Sequence, residues 1–233
     1  MKDSDDLSRH VLVWLDPRRW RVGLRSGINP EILPLIEDWI GQDLPAVVRM
    51  QREDSHPSLL HLGIPLSPDK GSMRISLEVC RDTVVKASPP LSLSQAMPSA
   101  PPRWQEPLHR IIMSSSAVGL MPGVYGSLAW QHLTGNTYLS AQSDVDLLFH
   151  VRNARQLDHV LRTLQEVESR YGLKADGEFI FADGGAVAWR EMLQSGGKVL
   201  VKSDRSVSLR PVADLLGTLP EKGEACRCQL TME

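Results

Sequence analysis

One stretch, Val124-Tyr125-Gly126-Ser127 through Ser143-Asp144-Val145-Asp146-Leu147-Leu148, limits what this chain can fold into. It reads as a short apolar strand ending in Gly-Ser, a helix, and a second strand that opens with two carboxylates. Side chains alternate along a strand, so Asp144 and Asp146 share one face while Val145, Leu147 and Phe149 share the other. Neighbouring carboxylates repel, and a hard divalent cation such as Mg²⁺ relieves that by taking oxygen ligands, substrate phosphates among them. Gly126-Ser127 stands where the helix begins, and the free N–H groups and positive dipole end there suit a phosphate. Alone, the Gly-Ser would be ordinary N-capping by Ser127, and the Asp-x-Asp a turn or a solvated edge. At this spacing, with an apolar strand after the second Asp, the two together point to phosphoryl or nucleotidyl transfer.

The remaining composition narrows the partners. At 233 residues with 42% hydrophobic content, the chain can build one large or two small domains around buried cores. A formal net charge of −2, with Lys and Arg scattered, offers no field to gather nucleic acid, although a basic pocket remains open. Met1-Lys2-Asp3-Ser4-Asp5-Asp6 is acidic where a secretory signal is basic, and no apolar run is long enough to span a membrane, which needs about 18 residues. The expectation is a soluble, cytoplasmic protein. Cys80 falls in an apolar strand, and Cys226 and Cys228 lie too close together, without a second pair, for a zinc site.

In chain order, strands are expected at 10–15, 45–49 and 72–79, with a helix over 30–40 ending at Gly41. Residues 59–66 hold Gly63 and Pro65 and read as an extended loop or an edge strand. Residues 1–86 then form a small, strand-rich α+β domain. The stretch 87–106 carries Pro89, Pro90, Pro98, Pro101 and Pro102 and reads as a linker or wrapping segment before a helix from Pro107 to Ser115. A second domain, 107–233, holds the Gly-Ser and Asp-x-Asp block and a long helix from Asn153 to Arg170, ended by Gly172. It continues with a strand over 173–181 bearing Asp176 and Glu178 on one face, a turn at Asp183-Gly184-Gly185, and a strand ending at Lys202. Asp176 is favoured over Glu178 as the third acid, and Lys202 could neutralise a phosphate as a point charge. His132 and His150 could line a pocket, but a lone His beside an apolar element is usually structural. The tail from Thr218 is polar.

The central pattern resembles the nucleotidyltransferase fold shared with DNA polymerase beta and the aminoglycoside adenylyltransferases. The longer block from Val124 to Gly135, then Tyr138-Leu139 and Ser143 to Leu148, resembles the MdcG family. So do Leu12-Val13-Trp14-Leu15, Pro45-Ala46-Val47-Val48-Arg49, Leu62-Gly63-Ile64-Pro65 and Val199-Leu200-Val201-Lys202. That resemblance implies a phosphoribosyl-dephospho-CoA transferase, the holo-[acyl-carrier-protein] synthase of malonate decarboxylase. It would use triphosphoribosyl-dephospho-CoA and a serine of the acyl-carrier subunit, and release diphosphate. It implies Mg²⁺ on Asp144 and Asp146, with Gly126-Ser127 on the phosphate side and an α+β fold whose mixed sheet is flanked by helices. Gly177 and the Asp183-Gly184-Gly185 turn depart from that pattern and predict an irregular third strand. Two other readings stay open: a nucleotidyltransferase that moves AMP to a metabolite, drug or protein, and a binding module on the same fold that has lost catalysis.

Overall fold

The computed structural model describes residues 7–25, 27–71, 73–193 and 197–219. Cys226, Cys228 and the tail beyond 219 lie outside the described residues. The chain builds two sheets, each with its own apolar core.

The first half contributes β1 (Leu12–Leu15), the short α1 (Trp20–Gly23), α2 (Leu33–Gly41), β2 (Ala46–Val48), β3 (Leu59–Pro65), β4 (Arg74–Cys80) and β5 (Val84–Ser88). Its strands pair antiparallel in the order β4-β3-β2-β1-β5. One face of the sheet carries Val13, Val48, Leu62 and Leu77, all nearly inaccessible, against Ile36, Trp39 and Ile40 of α2. The 59–66 stretch, expected as a loop or an edge, is a full strand paired on both sides. Pro65 is tolerated because it is the last strand residue. The expected helix over 30–40 starts as a 3₁₀ turn on Pro30, and Gly41 is its last helical residue rather than its cap.

The chain passes between the sheets in two residues, Pro89-Pro90. Next come β6 (Leu91–Ser92), α3 (Leu93–Ala96), α4 (Pro102–Ala117), β7 (Gly123–Tyr125), α5 (Gly126–Thr134), β8 (Val145–His150), α6 (Ala154–Tyr171) and β9 (Ala175–Ile180). The half closes with β10 (Ala186–Ala188), α7 (Trp189–Met192), β11 (Lys198–Lys202), β12 (Val207–Pro211) and α8 (Val212–Gly217). The sheet order is β12-β11-β10-β9-β8-β7-β6, antiparallel throughout except for the parallel β8/β9 pair that α6 connects. Most of the proline-rich segment is therefore ordered. Ser92 and Gln95 form a reciprocal cap on α3. The expected helix at Pro107 begins five residues earlier, because Pro102 occupies the first turn, where a missing N–H costs nothing. Pro107 sits inside α4 on its buried side, beside Trp104, Leu108 and Ile111.

α6 follows its sequence closely. The Asn153 side chain accepts from the Gln156 N–H at 2.9 Å, Gly172 closes the helix at φ 64°, and Leu157, Val160, Leu164 and Val167 are buried. α4 lies against it, with Ser114 Oγ placed 2.8 Å from His159 Nε2 and 2.7 Å from Thr163 Oγ1. The strand expected to be irregular is regular: β9 runs six residues in register with β8, and the Phe149 and Phe179 rings pack at 5.9 Å. The architecture is α+β with a mixed sheet flanked by helices, as expected. Among the described residues no helix is long and apolar enough to cross a membrane.

The halves share core as well as chain. Trp130 of α5 is buried in the first sheet's core, 5.7 Å from the Trp39 ring, and Tyr138 Oη donates to Pro65 O at 2.9 Å. Trp130→Ala should cost about 3–5 kcal/mol of unfolding free energy. Chemical denaturation followed by fluorescence and by far-UV CD checks this, and a loss below about 1 kcal/mol would mean that the indole does not join the two halves.

Candidate active site

Glycine at 126 is required twice over. Its φ is +65°, in the left-handed region, and a Cβ there would stand 1.8 Å from Asp146 Oδ2. The Asp146 carboxyl therefore packs directly on the first residue of α5. The bare glycine thus makes room for the protein's own acid at the helix start. Tyr125 occupies the N-cap position and no side chain caps the helix, so Ser127 lies one position inside the first turn and is not its cap.

β8 and β9 arrange the acids. Their parallel register sets Asp146 directly beside Asp176, and Asp144 precedes Val145 at the start of β8. The opposite faces of the same strands carry Leu147, Phe149, Ala175 and Phe179 into the core. Burial, first, and then the charges of Asp144 and Asp176 push the Asp146 carboxyl up to about 7, against smaller opposing effects of Arg74 and the Ser127 N–H. Asp146 thus has two further carboxyls near it, Asp144 and Asp176, both exposed. Such an all-oxygen donor set fits a hard cation. Among the described residues no three His, Cys, Asp or Glu side chains close on a common metal position. A cation held by one or two carboxylates and completed by substrate oxygens needs no such cage.

Glu178, two residues past Asp176 on the same face, has a different role. It is buried, 5% exposed, and its carboxylate accepts from Arg9 Nη2 at 3.0 Å and Lys202 Nζ at 3.0 Å, with His10 Nε2 at 3.4 Å. Burial alone would push this carboxyl up. The hydrogen bond from His10 and the charges of Arg9 and Lys202 outweigh it and hold the group down at about 2. Lys202, expected on the phosphates, has its ammonium engaged by Glu178 at the end of β11. His132 Nδ1 pairs with Ser99 Oγ at 3.0 Å, and His150 is exposed at the end of β8.

Asp144 and Asp146 open onto a cleft of about 660 Å³ between the two sheets. Tyr125, Gly126, Ser127, Asp144 and Asp146 line one side. The other side is the outer face of the first sheet, with Val47, Arg49, Pro65, Arg74 and Ser76, and Arg9 and His10 close one end. His10 has a left-handed backbone (φ 71°), and its ring packs against the Tyr125 ring at 4.4 Å, tilted by 46°. Burial, then the charges of Glu178, Asp146 and Asp176, push the Tyr125 phenol above its ordinary range. Sequence reading missed this second wall. Its signal was the alternation of Arg74, Ser76 and Glu78 with Ile75, Leu77 and Val79, and the Arg9-His10 pair just ahead of β1.

Residues 92–213 match the family model described as phosphoribosyl-dephospho-CoA transferase MdcG C-terminal domain, and residues 8–90 match the corresponding N-terminal domain. Three curated relatives, each named phosphoribosyl-dephospho-CoA transferase, illustrate the similarity. The protein of Xanthomonas axonopodis pv. citri (strain 306) is 39% identical over 208 residues, 89% of this chain and 95% of the relative. That of Xanthomonas euvesicatoria pv. vesicatoria (strain 85-10) is 37% identical over the same coverage. That of Bradyrhizobium diazoefficiens (strain JCM 10833 / BCRC 13528 / IAM 13628 / NBRC 14792 / USDA 110) is 36% identical over 202 residues, 86% of this chain and 88% of the relative. No solved structure matches the chain significantly. With residues 8–90 and 92–213 both matched and a relative 39% identical over 89% of this chain's length, the chain belongs to the MdcG family of phosphoribosyl-dephospho-CoA transferases.

Proposed function

We propose that this enzyme transfers the 2′-(5″-phosphoribosyl)-3′-dephospho-CoA group from its triphosphate precursor to a serine of the acyl-carrier subunit of malonate decarboxylase, in the cytoplasm. The observation that carries the reading is the meeting of Asp144, Asp146 and Asp176 with the uncapped start of α5 beside a cleft of about 660 Å³. The names of the relatives support the CoA-derived substrate.

The serine Oγ forms a bond to the α-phosphorus, the bond from that phosphorus to the bridging oxygen breaks, and diphosphate leaves with its electron pair. Asp144 and Asp146 would hold Mg²⁺, which when bound neutralises charge on the phosphate oxygens and orients them for in-line displacement. Gly126 lets the Asp146 carboxyl sit against the helix start, and the N–H groups of the first turn of α5 attract the phosphates. Asp176, exposed beside Asp146, would take the proton from the incoming hydroxyl. The direct test is mass spectrometry of the apo acyl-carrier subunit after incubation with enzyme, triphosphoribosyl-dephospho-CoA and Mg²⁺. No mass gain on the carrier, with active control enzyme alongside, would reject the reading.

Three expectations follow from the site. Asp146→Asn should lower transfer about a hundredfold or more, yet stabilise the metal-free protein at pH 8. The sign follows from Asp146 holding its proton more tightly folded than unfolded. Its cost to folding is absent below about pH 4, grows as pH rises toward 7, and is constant above. Melting temperatures of both proteins across pH 4–8 in chelator should therefore diverge upward, and parallel curves would remove the charge-crowding account. Asp176→Asn should abolish transfer with little change in melting temperature, whereas Glu178→Gln should lower the melting temperature first, because it unpairs Arg9 and Lys202. The reverse pattern in paired kinetics and melts would exchange their roles. Gly126→Ala should lose both activity and about 1 kcal/mol or more of stability, while Ser127→Ala, which removes no cap, should leave stability within about 0.5 kcal/mol. Equal melting curves for the two would show that Asp146 does not need the bare glycine.

A further inference from the structure

A glycine inside a central strand weakens it, and it often marks a place where another group must come close. Gly63 is such a residue. It lies in β3 opposite Val47 of β2 on one side and Ser76 of β4 on the other. The stem of Arg49 occupies the space, since a Cβ on Gly63 would stand 3.1 Å from Arg49 Cδ and 3.4 Å from its Cγ. Beyond the glycine, the Arg49 guanidinium donates to Ser76 Oγ. Arg49 is exposed, yet its side chain is laid across three strands and held at both ends of its reach. Arg74 opens β4 two residues before Ser76, on the same face, and is also exposed. Both arginines line the cleft, across from Asp144 and Asp146.

The chemistry of the cleft needs such groups. Its carboxylate side repels phosphate wherever a cation does not intervene. The start of α5 can attract one phosphate cluster, but the proposed substrate carries two: the triphosphate, and the diphosphate bridge of its dephospho-CoA half. A guanidinium offers a fixed fork of donors matched to phosphate oxygens, and it stays charged at any working pH. A pre-positioned guanidinium also loses less side-chain freedom on binding than a free one.

We propose that the first sheet supplies the phosphate-binding wall of the cleft, with Arg49 and Arg74 donating to substrate phosphate oxygens from the side opposite the acids. The assignment rests on the reading that the cleft takes a phosphorylated, CoA-derived nucleotide, and it gives the N-terminal domain a share in substrate binding. Gly63 and Ser76 are positioning residues that hold Arg49 in place.

Calorimetric titration of the full chain with two probes tests this: dephospho-CoA, and inorganic triphosphate with Mg²⁺. The Arg49→Ala/Arg74→Ala double variant should lose about tenfold or more in affinity for one probe. Arg18→Ala, an exposed arginine away from the cleft, should lose none. Loss for triphosphate assigns the wall to the triphosphate tail, and loss for dephospho-CoA assigns it to the diphosphate bridge. Gly63→Ala, which keeps both arginines but crowds the Arg49 stem, should weaken the same probe. Melting temperatures read in parallel separate these losses from misfolding. If both probes bind the double variant within twofold of wild type, the wall is overturned while the function stands. Wild-type protein that binds triphosphate but not dephospho-CoA overturns the substrate reading and leaves the wall to be judged on triphosphate. Wild-type protein that binds neither overturns both.

Discussion

The buried carboxylate of Glu178 ties the molecule together. Removing such a group from water is costly, and the cost is met only when partners satisfy its oxygens. Here the partners come from distant parts of the chain: Arg9 and His10 ahead of the first strand, and Lys202 at the end of β11. Satisfying one charge therefore docks the N-terminal sheet against the second sheet. It also fixes β9 two residues from Asp176 and brings His10 onto Tyr125, the residue before Gly126. The cluster therefore joins the strand that carries Asp176 to the segment that leads into the far wall of the cleft.

Around that anchor the cleft divides its charges. On one side burial, and then the neighbouring carboxylates, make Asp146 resist ionising, and arginines line the other. A substrate rich in phosphate would sit between, drawing on guanidinium groups on one side and needing a cation on the other. The burial and crowding that cost stability without a cation would favour binding of one, because a cation relieves the repulsion between neighbouring carboxylates.

Much of this was legible in the residues. The alternation of Asp144, Val145, Asp146 and Leu147 identified both the strand and its acidic face, and Asn153 and Gly172 marked both ends of α6. Asp176 could be ranked above Glu178, and the structure puts the first beside Asp146 and the second in an ion-pair cluster. What could not be read were the long-range pairings. Nothing local to Lys202 announces a glutamate twenty-four residues away. Nothing near Arg9 announces one 169 residues away. Gly63 and Pro65 argued for a loop because local propensity cannot see that an arginine needs the glycine's space, or that the proline falls on a strand's last residue. The helix at Pro102 was missed for a similar reason: prolines mark helix beginnings as readily as they forbid helix interiors.

The two-residue passage from β5 to β6 has a dynamic consequence. A hinge needs positions free to absorb large changes in φ and ψ. Pro89 and Pro90 have φ fixed by their rings, and each is flanked by a residue close to a paired strand. With Glu178, Trp130 and Tyr138 also bridging the halves, rotation of one sheet away from the other has little room. Opening the cleft by such a rotation would break these bridges. A protein-borne acceptor hydroxyl would then have to enter the cleft on a projecting segment of its own chain, and diphosphate would have to leave without the halves parting.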